Sequence, residues 1–261
     1  MSLMQSLILA REFLQLKQNF DRFFEIMPAT TDALRADVFR VRHRVYCEEL
    51  GWEPVRPDGI ESDSYDAQSL HILLRSRALN EYVGCVRLIR CHEHFPSNPL
   101  PFEEACAHAL DERLLENLAL GRDNIAEVSR LAVDGRFRRR PGEQRKPVAI
   151  SDEDYGNLRH PRFPYIPVGL YLGMLEAAQV HGIDTLFMLT EPWLAQHFKR
   201  LGVRLEPVGA AIEHRGQRVP SMMSVPVTIR SLHLLVRPLF HGLAAKVRAD
   251  YDKAYSFRNA A

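Results

Sequence analysis

Arg42, Tyr46 and Trp52, then Glu61, Asp63 and Asp66, then Arg87, and finally Glu127, Ser129 and Arg130 gather opposite charges around two aromatic rings. Arg42 and Tyr46 are four apart, so on a helix they share one face. Arg87 lies in one apolar run and Glu127 and Arg130 in another, where a charge needs a partner. Such a set can shape a pocket for a small charged molecule, with guanidiniums gripping a carboxylate and carboxylates meeting an ammonium. The same residues read equally as a core-edge arginine, a solvated acidic turn, structural ion pairs and two core aromatics.

Metal chemistry has little to work with. Cys47, Cys85, Cys91 and Cys106 show no zinc-type spacing, and His43, His71 and His181 have no spaced partners, so no metal is expected. Three of the cysteines sit in apolar stretches, as in a reduced, cytosolic protein.

The elements that must position these residues follow from periodicity. Residues 3–18 have helical spacing, and 20–26 read as a strand. Thr31 or Asp32 caps a helix whose stripe is Leu34, Val38, Val41 and Val45 and which stops before Gly51. An acidic loop at 53–68 leads to a hairpin of strands at 70–75 and 82–90. A helix over 102–119 and a strand over 125–133 follow. Further helices are predicted at 166–181 and 192–201, and strands at 185–190, 204–208 and 219–227. The remainder is helical, broken at Pro238. In a strand, Glu127 and Arg130 should point to opposite faces. Gly169 and Gly173 should let their helix approach the sheet closely.

Strands alternate with helices but hairpins also occur, which predicts an α/β (α+β) fold: a mixed central sheet with helices on both faces. The 261 residues are expected to form a single domain, with a basic, mobile insertion at about 135–161 and a C-terminal helical extension at about 228–261. An apolar fraction of 46% supplies a sizeable core, and a net charge of +1 argues against whole-surface nucleic-acid binding. Leu7 to Ala10 is too short for a secretory core, and no apolar run is long enough for a membrane span. A soluble, cytoplasmic protein is expected.

The order and spacing of the charged set resemble the acyl-homoserine-lactone (autoinducer) synthases. Those enzymes carry an arginine, an aromatic and a tryptophan, two aspartates, a Gly-x-x-Arg-Leu strand and a Glu-x-Ser-Arg strand. Here these are Arg42, Tyr46, Trp52, Asp63, Asp66, Gly84-Cys85-Val86-Arg87-Leu88 and Glu127-Val128-Ser129-Arg130. After residue 130 the likeness is to the closing half of an acetyltransferase-like fold. Chain length, the basic mid-loop and the C-terminal segment are more similar to acyltransferases associated with exosortase systems, and those resemble the long-chain N-acyl amino acid synthases.

The resemblance implies an N-acyltransferase that moves a long-chain acyl group to the amine of an amino acid or similar small acceptor. It implies Glu127 as catalytic base and Arg42, Tyr46, Trp52, Asp63, Asp66, Arg87, Ser129 and Arg130 around the substrates. No bound cofactor is expected; the donor is acyl-phosphopantetheine on an acyl carrier protein. Two departures stand out. Tyr46 replaces the usual Phe, and the glycine-rich phosphate loop of coenzyme A-dependent relatives is missing, which disfavours acyl-coenzyme A. The basic run Arg136, Arg138, Arg139, Arg140, Arg145 and Lys146, opposed by Glu143, lacks a nucleic-acid motif and suits docking of an acidic carrier protein, with a solvated loop as the alternative. Membrane contact would be peripheral, through the product. The alternative functions are a lactone synthase using S-adenosylmethionine and a non-catalytic relative that binds acyl ligands or a protein partner.

Overall fold

Thr31 opens the first helix that matters to the site, its hydroxyl accepting the Leu34 N–H at 3.3 Å. The computed structural model describes residues 15–92, 94–95, 97–111, 114, 121–137 and 164–259, with backbone alone for 193, 197, 200, 258 and 259. Helix α1 (Leu16–Phe23) leads into strand β1 (Phe24–Pro28), and helix α2 (Asp32–Arg42) continues as a π-helical stretch, His43–Glu49. A 3-10 turn (Ser64–Gln68) precedes the hairpin of β2 (Ser69–Ser76) and β3 (Glu81–Arg90). Then come α3 (Pro101–Cys106), β4 (Ile125–Val133), α4 (Tyr165–Val180), β5 (Thr185–Thr190), α5 (Pro192–Arg200), β6 (Glu206–Pro207), β7 (Ile212–Glu213), β8 (Gln217–Ser224), α6 (Val225–Ser231) and α7 (Arg237–Asn259).

The strands form one sheet in the order β1-β2-β3-β4-β5-β8-β6, with β7 paired to β8. All neighbours are antiparallel except β4 and β5, which are parallel. Alternation along β2 and β3 sends Ile72, Leu74, Val86 and Leu88 to the core under α4 and α7, and Leu73 and Cys85 to the core under α2. Helices therefore cover both faces, as the mixed pattern predicts. Gly169 and Gly173 let α4 approach closely: a Cβ on either would overlap Phe20 or Ile26.

Several boundaries differ from the sequence reading. Residues 20–23 are helical because Leu16 and Phe20, one turn apart, bury the same face. The helix expected to 119 ends at Cys106, and Leu110 instead bridges to Gly209; residues 112–113 and 115–120 lie outside the described set. Strand β8 ends at Ser224, whose hydroxyl caps α6. Pro238 starts α7 rather than breaking it, since the second position of a helix needs no N–H partner. The extension is also part of the main core, through Leu239, Leu243 and Val247 of α7.

Two irregularities shape the sheet's centre. Between Cys85 and Arg87 the β3–β4 register shifts: Arg87 faces Ser129 but Cys85 faces Ala132, so β4 carries one extra residue. Arg130 sits there in left-handed backbone, φ +50°. The β4–β5 ladder, moreover, runs only from Ile125↔Thr185 to Glu127↔Phe187, after which β5 continues with β8 alone. Among the described residues, β4 has no strand partner on that side from Val128 onward, and the sheet opens.

Candidate active site

The opening between β4 and β5 leads into a cavity of about 410 Å³. Its lining changes character through the sheet. Tyr46, Trp52, Asp63, Arg87, Glu127, Ser129 and Arg130 surround one end. Tyr171, Met174, Met188, Leu194 and Phe198 line the other, with Tyr171 and Phe198 stacked at 4.8 Å. A polar vestibule joined to an apolar chamber suits an amphiphile whose chain threads the gap and whose head group stays outside.

The π-helical stretch fixes the aromatic wall. The Leu50 N–H reaches back five residues to the Val45 carbonyl, and Gly51 follows with φ +64°. The Tyr46 carbonyl then receives the N–H groups of Trp52 at 2.8 Å and Glu53 at 3.1 Å. The Tyr46 and Trp52 rings lie 6.0 Å apart at 29°, and the Tyr46 hydroxyl donates to the Leu131 carbonyl on the splayed strand at 3.1 Å.

Behind this wall lies a charge network. Asp63 caps the 3-10 turn, its Oδ1 accepting the Tyr65 N–H at 3.0 Å, while Asp66 Oδ2 accepts the Asp63 N–H at 2.7 Å. The turn thereby aims both aspartates at the arginines. Arg42 donates to Glu61, and to Asp66 at 2.6 Å. Arg87 Nη1 reaches Asp63 at 2.6 Å and Asp66 at 2.8 Å, and its Nε donates to Ser129 Oγ at 3.0 Å. Arg130 lies 5.4 Å from the Tyr46 ring centre and meets Glu61 at 3.1 Å, Glu53 at 3.3 Å and Asp63 at 3.5 Å. Burial raises the Asp66 carboxyl, but the adjacent Arg42 and Arg87 charges outweigh it and hold the group at about 2. Burial likewise opposes ionisation of Glu61, yet the Arg42 hydrogen bond keeps its carboxyl below the ordinary range.

These contacts divide the sequence-predicted set. Arg42 is wholly buried and Asp66 nearly so, and both stand behind the lining rather than in it. They brace the acidic loop from behind that lining, Arg42 as an ion-pair partner of Asp66. Tyr46, Trp52, Asp63, Arg87, Glu127, Ser129 and Arg130 do face the cavity together. Glu127 and Arg130 were expected on opposite faces; the extra residue and left-handed backbone at Arg130 bring both to one cavity. Of the basic run only Arg136 lies in the described residues, and its guanidinium is engaged by Asp134 at 2.9 and 3.0 Å and by Glu81 at 2.5 Å. Arg138, Arg139, Arg140, Arg145 and Lys146 lie outside them.

Glu127 is the chemically distinctive group. Its side chain is buried at the cavity wall, and Oε2 accepts the Phe102 N–H at 2.8 Å. Burial pushes its carboxyl up to about 7, against the lowering effect of that hydrogen bond and of Arg87. A carboxylate so poised exchanges protons near neutral pH.

The sequence reading passed over the far wall. Glu53, His214, Arg215, Arg218 and Glu191 also line the cavity, and Glu61 joins Arg42 to Arg130. Glu61 stands within the acidic loop and was visible there; residues 191–218 reach the site only through the β5–β8 pairing. Among the described residues, no group of three or more His, Cys, Asp or Glu side chains is placed to hold a metal ion.

Residues 41–145 match the acetyltransferase (GNAT) domain family. An acyl-homoserine-lactone synthase of Pseudomonas fluorescens is 26% identical over 198 residues, covering 74% of this chain and 81% of the relative. One of Aeromonas salmonicida is 24% identical over 173 residues, covering 66% and 70%. The chain resembles the autoinducer synthases. Solved structures agree on the fold: TofI in a ternary complex with an inhibitor and MTA has a TM-score of 0.54 at 21% identity, over 77% of this chain and 91% of that one. FeeM, an N-acyl amino acid synthase from uncultured soil microbes, has a TM-score of 0.53 at 16% identity, over 81% and 96%. MesI, a CoA-dependent acyl-homoserine lactone synthase, has a TM-score of 0.53 at 21% identity, over 82% and 95%. The fold is acetyltransferase-like, as its central strands imply. Among the described residues, no helix is long and apolar enough to cross a membrane.

Proposed function

We propose that this acyltransferase forms an amide, moving a long acyl chain from a thioester donor to the amine of an amino acid or similar small acceptor. The observation that carries the reading is the continuous cavity that runs from Glu127 and the arginines through the β4–β5 opening into an apolar chamber. The chain lies in the chamber and the reacting thioester at the opening. Glu127, through water, takes a proton from the acceptor ammonium, and the freed lone pair forms the C–N bond. The carbonyl becomes an oxyanion beside the β4 edge, whose backbone groups lack a strand partner there. Collapse breaks the C–S bond. Of the two protons the nitrogen sheds, one leaves with the thiolate and the other passes to solvent.

The donor we propose is an acyl carrier protein, on the basic run after β4 and the missing phosphate loop. Coenzyme A is the second candidate, because MesI, of the same fold, is CoA-dependent.

A second reading, an acyl-homoserine-lactone synthase using S-adenosylmethionine, has the curated relatives in its favour. Against it stands the aromatic wall: Arg130 already lies over Tyr46 and Arg215 over Trp52, at 5.4 and 5.6 Å, where a sulfonium would seek a ring face. The test incubates the enzyme with a carrier-bound long-chain donor and either mixed amino acids or S-adenosylmethionine, followed by mass spectrometry. N-acyl amino acid supports the first reading. Methylthioadenosine with a lactone establishes the second, and no product from any thioester refutes both.

A further inference from the structure

The hairpin between β7 and β8 turns through His214, Arg215 and Gly216. The His214 N–H meets the Gly216 carbonyl at 2.9 Å and Glu213 accepts the Gly216 N–H at 2.9 Å. Arg215 holds left-handed backbone there, φ +54°, which a non-glycine residue adopts at a cost. Its guanidinium reaches over the cavity's vestibule to Glu53 at 2.8 Å and lies 5.6 Å from the Trp52 ring centre. The tip thus spans from the far wall of the sheet to the loop after the π-helical stretch.

The arginines lining the cavity differ in how fully they are engaged. Arg87 is 3% exposed and already serves Asp63, Asp66 and Ser129. Arg130 meets three carboxylates, and Arg218 is 12% exposed and paired to Glu191. Arg215 is 36% exposed and meets one carboxylate oxygen of Glu53 through one nitrogen. Glu53 would not be stranded if Arg215 turned to another anion, because the same oxygen also receives Arg130 at 3.3 Å. The Trp52 ring lies beneath the guanidinium.

We infer that Arg215 is the specificity-determining residue for the acceptor: it binds the acceptor's carboxylate in exchange for Glu53. This rests on the amide-forming reading, and it names the group by which the acceptor is selected. An amine without a carboxylate leaves the Arg215–Glu53 pair closed. A carboxylated one takes over Arg215 and releases Glu53 to Arg130.

The test separates recognition from turnover by using product-like ligands. N-Dodecanoylglycine and N-dodecanoylglycinamide share the chain and amide and differ in the carboxylate, and calorimetry gives the affinity of each. The wild type should prefer the acid by about tenfold or more, as a charge-assisted Arg–carboxylate pair gives. Arg215→Ala should erase the preference with the amide's affinity unchanged, and Arg215→Lys should keep part of it as a point charge without the fork. Glu53→Gln should tighten the acid several-fold. An acid preference that survives in Arg215→Ala, an equal loss of both ligands, or a wild type that prefers neither overturns the inference. If the acid is preferred through Arg215 yet no thioester yields amide, the catalytic reading fails and the carboxylate site stands.

Discussion

The Phe102 N–H donates to the Glu127 carboxylate at 2.8 Å, joining the first turn of α3 to the last residue of β4 that pairs with β5. Because burial pushes Glu127 up to about 7, the native protein binds a proton between pH 4.5 and 7 that the unfolded chain has released. Stability contributed by this group is therefore present below pH 4.5 and lost as pH rises through 7. Glu127→Gln should gain up to about 3 kcal/mol over wild type at pH 8 and nothing at pH 4. Urea unfolding at both pH values measures this.

The same substitution should lower turnover by about 10²–10⁴-fold, the usual loss when a general base is removed. In the wild type, kcat/KM should climb through a pKa near 7 as Glu127 loses its proton. A variant of near-normal rate would remove Glu127 from the mechanism, and a variant that unfolds would make it a structural acceptor for α3.

Asp66→Asn should act on the fold first. It leaves Arg42 and Arg87 with one carboxylate fewer in a buried network, and such losses cost about 3–5 kcal/mol. Since the Asp66 carboxyl is held at about 2 against an ordinary 3.8, its stabilisation exists above pH 3.8 and disappears as pH falls through 2. The wild type should lose about 2 kcal/mol on that acid limb, and the variant should lack this part of the slope.

Leu194→Trp, on the α5 wall of the chamber, should shorten the chain the enzyme accepts. We expect kcat/KM for long acyl donors to fall at least about tenfold relative to short ones, since overfilling a packed apolar site costs about 1–3 kcal/mol. Competition between donors of different length reads the ratio directly.

Reversing charge at Arg138, Arg139 and Arg140 should slow carrier-dependent turnover most at low salt, where electrostatic steering is strongest. Turnover with a free acyl-thioester lacking the carrier should not change. Unaltered carrier kinetics would return these arginines to a solvated loop.

How much was legible depends on the range over which each feature is decided. Residues 125–133 and 185–190 are read to the residue, because apolar and β-branched residues dominate both segments. That Arg87 and Arg130, charges in apolar runs, need partners was also legible. The face of Arg130 was not. Period-two alternation assumes an unbroken ladder, and the extra β4 residue is set by β3 across the sheet. Arg215 was invisible for a different reason: it lies 162 positions from Glu53, and only the folded sheet brings the two together.

The three residue pairs that join β4 to β5 have a mechanical meaning as well. They are the narrow seam between an antiparallel half built from β1 to β4 and another built from β5 to β8. In the first, neighbours in sequence are largely neighbours in space, so it should assemble early and hold its amide protons longest. Within the sheet the second half is joined to the first at Ile125, Ala126 and Glu127, and the shared core under α4 completes the join. The gap that admits the cavity opens just past that seam. Glu127, the last residue of that seam, is also the group we propose as the base.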